Sequence, residues 1–152
     1  MPLPKAAPYN LLSTFHHAGW TIKYALLSPE SPENVTTTPT NLKTLVFIHG
    51  TPWSSAVFQP LVQSLLSRSP SSSSPPPNHR ILLYDLPGYG LSQTPYPTSK
   101  SPKPPSSHPR FKPPTEPNTS VALQAQTLAA LLTHLGLSKP AVLAHDIGGA
   151  IA

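Results

Sequence analysis

The stretch LAHDIGG, residues 143–149, sets an acidic side chain directly after an apolar run and just ahead of a glycine pair. Small residues at 148 and 149 let a helix pass close to the preceding strand, and a sharp strand-to-helix turn would push the Asp146 carboxylate outward. The same turn presents a nucleophilic serine in the pattern G-x-S-x-G; here the frame is A-H-D-I-G. An aspartate so placed can attack an electrophilic carbon and form a covalent ester, which water then hydrolyses. The plainer alternative is a turn or helix-cap aspartate, a common role for this residue type.

Two other segments end an apolar run in polar or glycine residues. In FIHGTP, Gly50 permits close backbone approach. The backbone amides of Thr51 and Ile147 are then expected to converge above Asp146 and stabilise developing oxygen charge. His49 precedes the turn and reads as a buried, hydrogen-bonded residue that orients the loop rather than as a base. In YDLPGYGLS, Asp85 is expected to hold a turn through its carboxylate, with Gly88 and Gly90 allowing tight bends. G-Y-G lacks the third glycine of a dinucleotide fingerprint, and no GK[ST] phosphate loop is present. His145 adjoins Asp146, but strand alternation would send the two side chains to opposite faces. His134, near the end of a helical segment, suits the helix dipole.

These residues need elements to carry them. WTIKYALL, with Trp20, Ile22, Tyr24 and Leu26 at period two, predicts the second strand of a hairpin turning near Ala18-Gly19. TLVFIHG, Ile81 to Tyr84 and KPAVLAH are short apolar runs of the kind buried in parallel sheets. Ser54 to Arg68 carries a helical face capped by Ser54 or Ser55, with Pro60 marking where the regular helix begins. Ser120 to Leu135 is the clearest helix, its stripe running through Val121, Ala125, Leu128, Leu132 and Leu135, with Gly136 beyond its end. The order hairpin, strand, helix, strand, helix, strand implies a layered α/β sheet.

Composition narrows the classes. The 152 residues suit one domain, but 23 prolines and a hydrophobic share of 38% point to a folded body interrupted by Pro/Ser-rich inserts at about 69–78 and 95–117. Zero cysteines exclude disulfides, a thiolate nucleophile and cysteine-ligated metal sites. The formal charge of +5 is spread thinly, without the basic run of a nucleic-acid patch. No segment approaches the roughly 20 apolar residues of a membrane span, and no signal peptide is evident, so the expected location is cytoplasmic.

HGTP, DLPGYGLS and HDIGG in this order resemble the α/β-hydrolase superfamily, and the aspartate at the elbow resembles its epoxide hydrolase and haloalkane dehalogenase branch. The resemblance implies a three-layer α/β-hydrolase fold, with an N-terminal hairpin leading into a mostly parallel sheet. It covers the chain as a partial domain over residues 1–152, truncated at the nucleophile elbow, with lid and C-terminal half absent. It implies Asp146 as the alkylating nucleophile and the Thr51 and Ile147 amides as the oxyanion hole. His49 and Gly50 would carry the oxyanion loop and Pro52 its bend, through a cis Thr51-Pro52 bond. No cofactor and no metal are implied; the full-length parent would take a small apolar organic substrate and water. Its catalytic histidine and acidic partner are expected beyond residue 152, so the fragment itself is expected to be inactive. Dehalogenases use asparagine and tryptophan where Thr51 and Ile147 stand, which favours the epoxide reading. Haloalkane dehalogenase, another α/β-hydrolase activity, and a non-catalytic scaffold or binding module are the alternatives.

Overall fold

A computed structural model describes residues 9–28, 43–66, 79–93 and 118–152. Both Pro/Ser-rich inserts lie outside the described residues. Five strands form one sheet: β1 (Ser13–His17), β2 (Trp20–Leu27), β3 (Lys43–Ile48), β4 (His79–Tyr84) and β5 (Ala141–Ala144). Helices α1 (Gln59–Leu66), α2 (Val121–His134) and α3 (Gly148–Ile151) complete the fold.

The strand order is β1-β2-β4-β3-β5. β1 and β2 form the expected hairpin through Ala18 and Gly19, both at positive φ (46° and 85°), as a tight two-residue turn requires. β2 joins β4 antiparallel, and β4, β3 and β5 run parallel. The sheet is therefore mixed, the antiparallel hairpin leading into three parallel strands as expected. From β3 the chain crosses through α1 to β4 on one side, then returns through α2 over β3 to β5 on the other. Right-handed crossovers in opposite directions place their helices on opposite faces.

Side-chain alternation confirms the three layers. Val46, Ile48, Leu82 and Tyr84 pack with Leu128, Leu131 and Ile151 on the α2/α3 face. Phe47, Ile81 and Leu83 pack with Phe58 and Val62 on the α1 face. The central strands are buried on both faces, which explains their unbroken apolar runs.

Pro60 is the second residue of α1, where its missing N–H is harmless. A separate 3-10 turn, Ser55–Phe58, precedes it, with the Ser54 hydroxyl accepting from the Ala56 N–H. Ser120 caps α2 by accepting from the Leu123 N–H, and Gly136 follows the helix at φ +63°. The predicted stripe of α2 packs against the core, Leu128 buried and Val121, Ala125, Leu132 and Leu135 partly so, but the most buried face is wider. It runs through Gln124, Thr127, Leu128 and Leu131. Gln124 is tolerated there because its Nε2 donates to the Pro87 carbonyl at 3.1 Å, and Thr127 because its hydroxyl donates to the Leu123 carbonyl at 2.8 Å. His134, in the last turn of α2, packs its ring 5.0 Å from that of Phe15 on β1.

β5 corrects an expectation. It reads as a buried strand, yet all four residues are exposed, because it is the outermost strand on its side. Val142 and Leu143 are each 43% exposed, the apolar edge expected of a last strand. No helix among the described residues is long and apolar enough to cross a membrane.

Candidate active site

The last paired residues of β3 and β5 are Ile48 and Ala144, and the ladder closes with the His145 N–H donating to the Ile48 carbonyl at 3.0 Å. Beyond that rung the two chains part. The β3 loop turns toward α1, and the β5 loop enters α3, which packs on the α2 face. A crevice where crossover direction reverses is where open α/β sheets bind ligands.

Asp146 stands in that crevice at φ +54°, the left-handed region, on a turn closed by Gly148 N–H to His145 O (3.0 Å) and Gly149 N–H to Asp146 O (2.9 Å). A non-glycine residue there costs on the order of 1 kcal/mol, held by the surrounding packing. The turn needs glycine at 148, where a Cβ would lie 2.6 Å from the Ile48 carbonyl oxygen; at 149 a Cβ would meet nothing within 4 Å. Asp146 is exposed.

Gly50 lets the two loops meet. A Cβ at that position would fall 2.6 Å from the Asp146 Cβ and 2.9 Å from its Oδ2. With only hydrogen there, the Thr51 N–H reaches the Asp146 Oδ2 at 3.3 Å. The Thr51-Pro52 bond is cis, as expected. Ile147, at the start of α3, carries its amide one position beyond the carboxylate. The structure therefore brings Gly50 and Thr51 against Asp146, with Ile147 its chain neighbour.

His49 is fully buried beneath them. Its Nε2 faces the Leu86 N–H at 2.9 Å and its Nδ1 faces the Gly50 carbonyl at 2.8 Å. An amide can only donate and a carbonyl only accept, so the ring carries its proton on Nδ1 and is neutral. Burial lowers its pKa from 6.5, opposed by the Gly50 carbonyl and the Asp85 charge. Asp85 is saturated elsewhere. Its Oδ1 accepts from the Ser55 N–H (2.8 Å) and hydroxyl (2.6 Å), and its Oδ2 from the Leu91 N–H (2.7 Å). Its carboxylate thus binds the turn after β4 to the start of the 3-10 helix, the scaffold role anticipated for it. Sequence spacing did not reveal the Leu86 and Leu91 amides as partners, since a backbone donor leaves no mark on residue type.

His145 departs from the strand-alternation argument. β5 ends at Ala144, so alternation does not extend to residue 145. A Cβ at Gly50 would lie 2.9 Å from the His145 Nδ1 as well as from the Asp146 carboxylate, so both side chains flank the same glycine. A shallow hollow of about 270 Å³, lined by Tyr9, Leu11, Ser54, Asp85 and Leu91 among others, lies away from this cluster.

Comparison with known proteins decides the family: the α/β hydrolase fold matches residues 43–152, from β3 to the last residue. The chain belongs to the α/β hydrolase fold family. Its solved relatives include an α/β hydrolase fold protein from Burkholderia ambifaria, 29% identical, with a TM-score of 0.60 over 93% of this chain and 37% of that one. An α/β hydrolase enzyme from a Medee basin deep-sea metagenome library is 20% identical, at TM-score 0.56 over 91% of this chain and 37% of that one. An enantioselective mutant of the epoxide hydrolase from Aspergillus niger is 20% identical, at TM-score 0.60 over 91% of this chain and 29% of that one. A search of the curated proteins gives no match. This α/β hydrolase chain thus spans 29–37% of the length of these solved structures.

Proposed function

We propose that the chain carries the nucleophile and oxyanion donors of an epoxide hydrolase that works through a covalent ester on Asp146. One observation carries the reading: an exposed aspartate on a left-handed turn receives the Thr51 N–H on a single carboxylate oxygen, Oδ2. The likeness to the Aspergillus niger epoxide hydrolase supports the substrate class. Oδ1 attacks the less hindered epoxide carbon, the ring C–O bond breaks, and the alkoxide takes a proton from water or an acid. Oδ2 becomes the carbonyl oxygen of the hydroxyalkyl ester. Water then adds to that carbonyl; negative charge collects on Oδ2, where the Thr51 and Ile147 amides stabilise it. Collapse releases a diol and returns the carboxylate.

The second half-reaction needs a base to deprotonate water. His49 is unsuited, because both ring nitrogens are engaged. We expect the 152-residue chain to alkylate slowly and to release product poorly, leaving the ester as the observable species. Incubation with a small apolar epoxide followed by peptide mass analysis should show one adduct on the Asp146 peptide, absent in Asp146→Asn. An adduct on other residues only, or one that persists in Asp146→Asn, rejects the assignment.

A further inference from the structure

Two side chains of the elbow converge on Gly50. A Cβ built on that glycine would lie 2.6 Å from the Asp146 Cβ, 2.9 Å from the Asp146 Oδ2 and 2.9 Å from the His145 Nδ1. Two atoms at 2.9 Å from one point stand no further apart than twice that distance. That is about the span of one water hydrogen-bonded to both. The His145 ring is exposed, and neither of its nitrogens has a partner among the described residues. Its backbone, by contrast, is anchored at both ends. The N–H donates to the Ile48 carbonyl at 3.0 Å, and the carbonyl accepts from the Gly148 N–H at 3.0 Å. Strand geometry stops at Ala144 and residue 146 turns at φ +54°, so neighbours that a strand would separate emerge beside the same glycine.

We propose that His145 is the general base that deprotonates water in the hydrolysis of an ester on Asp146; the inference rests on the reading of Asp146 as the alkylated nucleophile. A base acts across one hydrogen bond or one water, and His145 stands at that range from the carboxyl group. The water oxygen bonds to the ester carbon Cγ and its proton passes to Nδ1. The carbonyl electron pair moves to Oδ2, where the Thr51 N–H lies at 3.3 Å. The tetrahedral carbon then collapses, the Cγ–Oδ1 bond breaks, and the imidazolium returns its proton to the departing oxygen. A diol leaves and the ring is neutral again. Asp146 keeps the water oxygen and loses its remaining proton to solvent. The ionisable groups facing His145 among the described residues are Asp146 itself and His49 beneath Gly50. His49 has both nitrogens engaged, so it does not compete for the water.

The test follows the ester rather than its formation. The chain is loaded with styrene oxide, freed of excess reagent and moved into heavy-oxygen water. Peptide mass analysis then tracks the Asp146 adduct with time, each trace scaled to its starting value. Loss of the adduct should be matched by one heavy oxygen in the Asp146 carboxylate. It should slow as pH is lowered from about 8 to about 5, where an imidazole takes up a proton. His145→Gln should slow the loss by about tenfold or more, and added imidazole should restore it in His145→Ala. His145→Gln should also flatten the pH dependence, which separates His145 from the buried His49. Equal loss in the unmutated chain and in His145→Gln overturns the proposal. So does an adduct on the unmutated chain that gains no heavy oxygen, or one whose loss ignores pH; these two readings need no variant to fold. Absence of any adduct on the unmutated chain rejects the epoxide reading, and this inference with it. An adduct that forms and decays alike in both chains rejects the role of His145 alone.

Discussion

At the scale of single residues, the site joins one strained, exposed group to one relaxed, buried group. Asp146 holds a left-handed backbone in contact with solvent, and His49 sits fully buried with both nitrogens satisfied. The burial of His49 makes stability depend on pH. Its folded pKa lies below the ordinary 6.5, so on acidification the unfolded chain takes up a proton before the folded one does. The His49 contribution is therefore complete above 6.5 and declines as pH falls from there through the lowered folded value. Urea unfolding measured from about pH 8 to about pH 5 should show that decline, and His49→Asn should flatten it. Tyr84 offers the opposite case. Its hydroxyl is buried without a hydrogen-bond partner among the described residues, and burial holds the phenol neutral by raising its pKa. Tyr84→Phe removes the unsatisfied group and keeps the ring. It should leave stability unchanged or raise it by about 1 kcal/mol in the same urea assay.

At the scale of elements, two glycines of similar appearance in the sequence do different work. Gly50→Ala would drive a methyl against the Asp146 Cβ at 2.6 Å, so β3 and the elbow must separate. Loss of about 1–3 kcal/mol and of the Asp146 adduct is expected. Gly149→Ala meets open space inside α3 and should be neutral or stabilising by up to about 1 kcal/mol, with the adduct retained. Thermal unfolding and the mass assay together read both outcomes. The hairpin, all three apolar strands, the proline-bounded start of α1 and both ends of α2 were legible in the sequence, because each rests on local chemistry: period, turn residues, caps. The apolar stripe of α2 was legible too, but its buried polar residue Gln124 was not, since its Nε2 finds its partner at Pro87, 37 residues away along the chain. β5 also misled, because its apolar run resembles those of β3 and β4. Position in the sheet depends on crossover direction rather than on the strand's own residues. Gly50 and Thr51 meet Asp146 across the two loops, whereas the amides that orient His49 and Asp85 carry no sequence signature.

At the scale of the whole molecule, no strand among the described residues lies beyond β5. β5 pairs on one side with β3, and its Val142 and Leu143 are exposed. An apolar, unpaired edge invites association with another chain. The 152-residue protein should self-associate as its concentration rises, and Val142→Lys with Leu143→Lys should suppress this in light scattering while the α2-face core stays folded. Unchanged scattering would place the sticky surface elsewhere. The same position of β5 bears on the chemistry. The gap between the Thr51 amide and Asp146 is gauged by the pairing of Ile48 with Ala144, the final rung of two adjacent strands. A slip of one repeat along that ladder, two residues, would carry the carboxylate about 6.6 Å from its donor. Strand register is thus the ruler of the site, and the ruler is fastened at the outermost strand. Fraying of β5 would erase the alignment while the layers around β4 remained intact, so loss of reactivity can precede loss of fold.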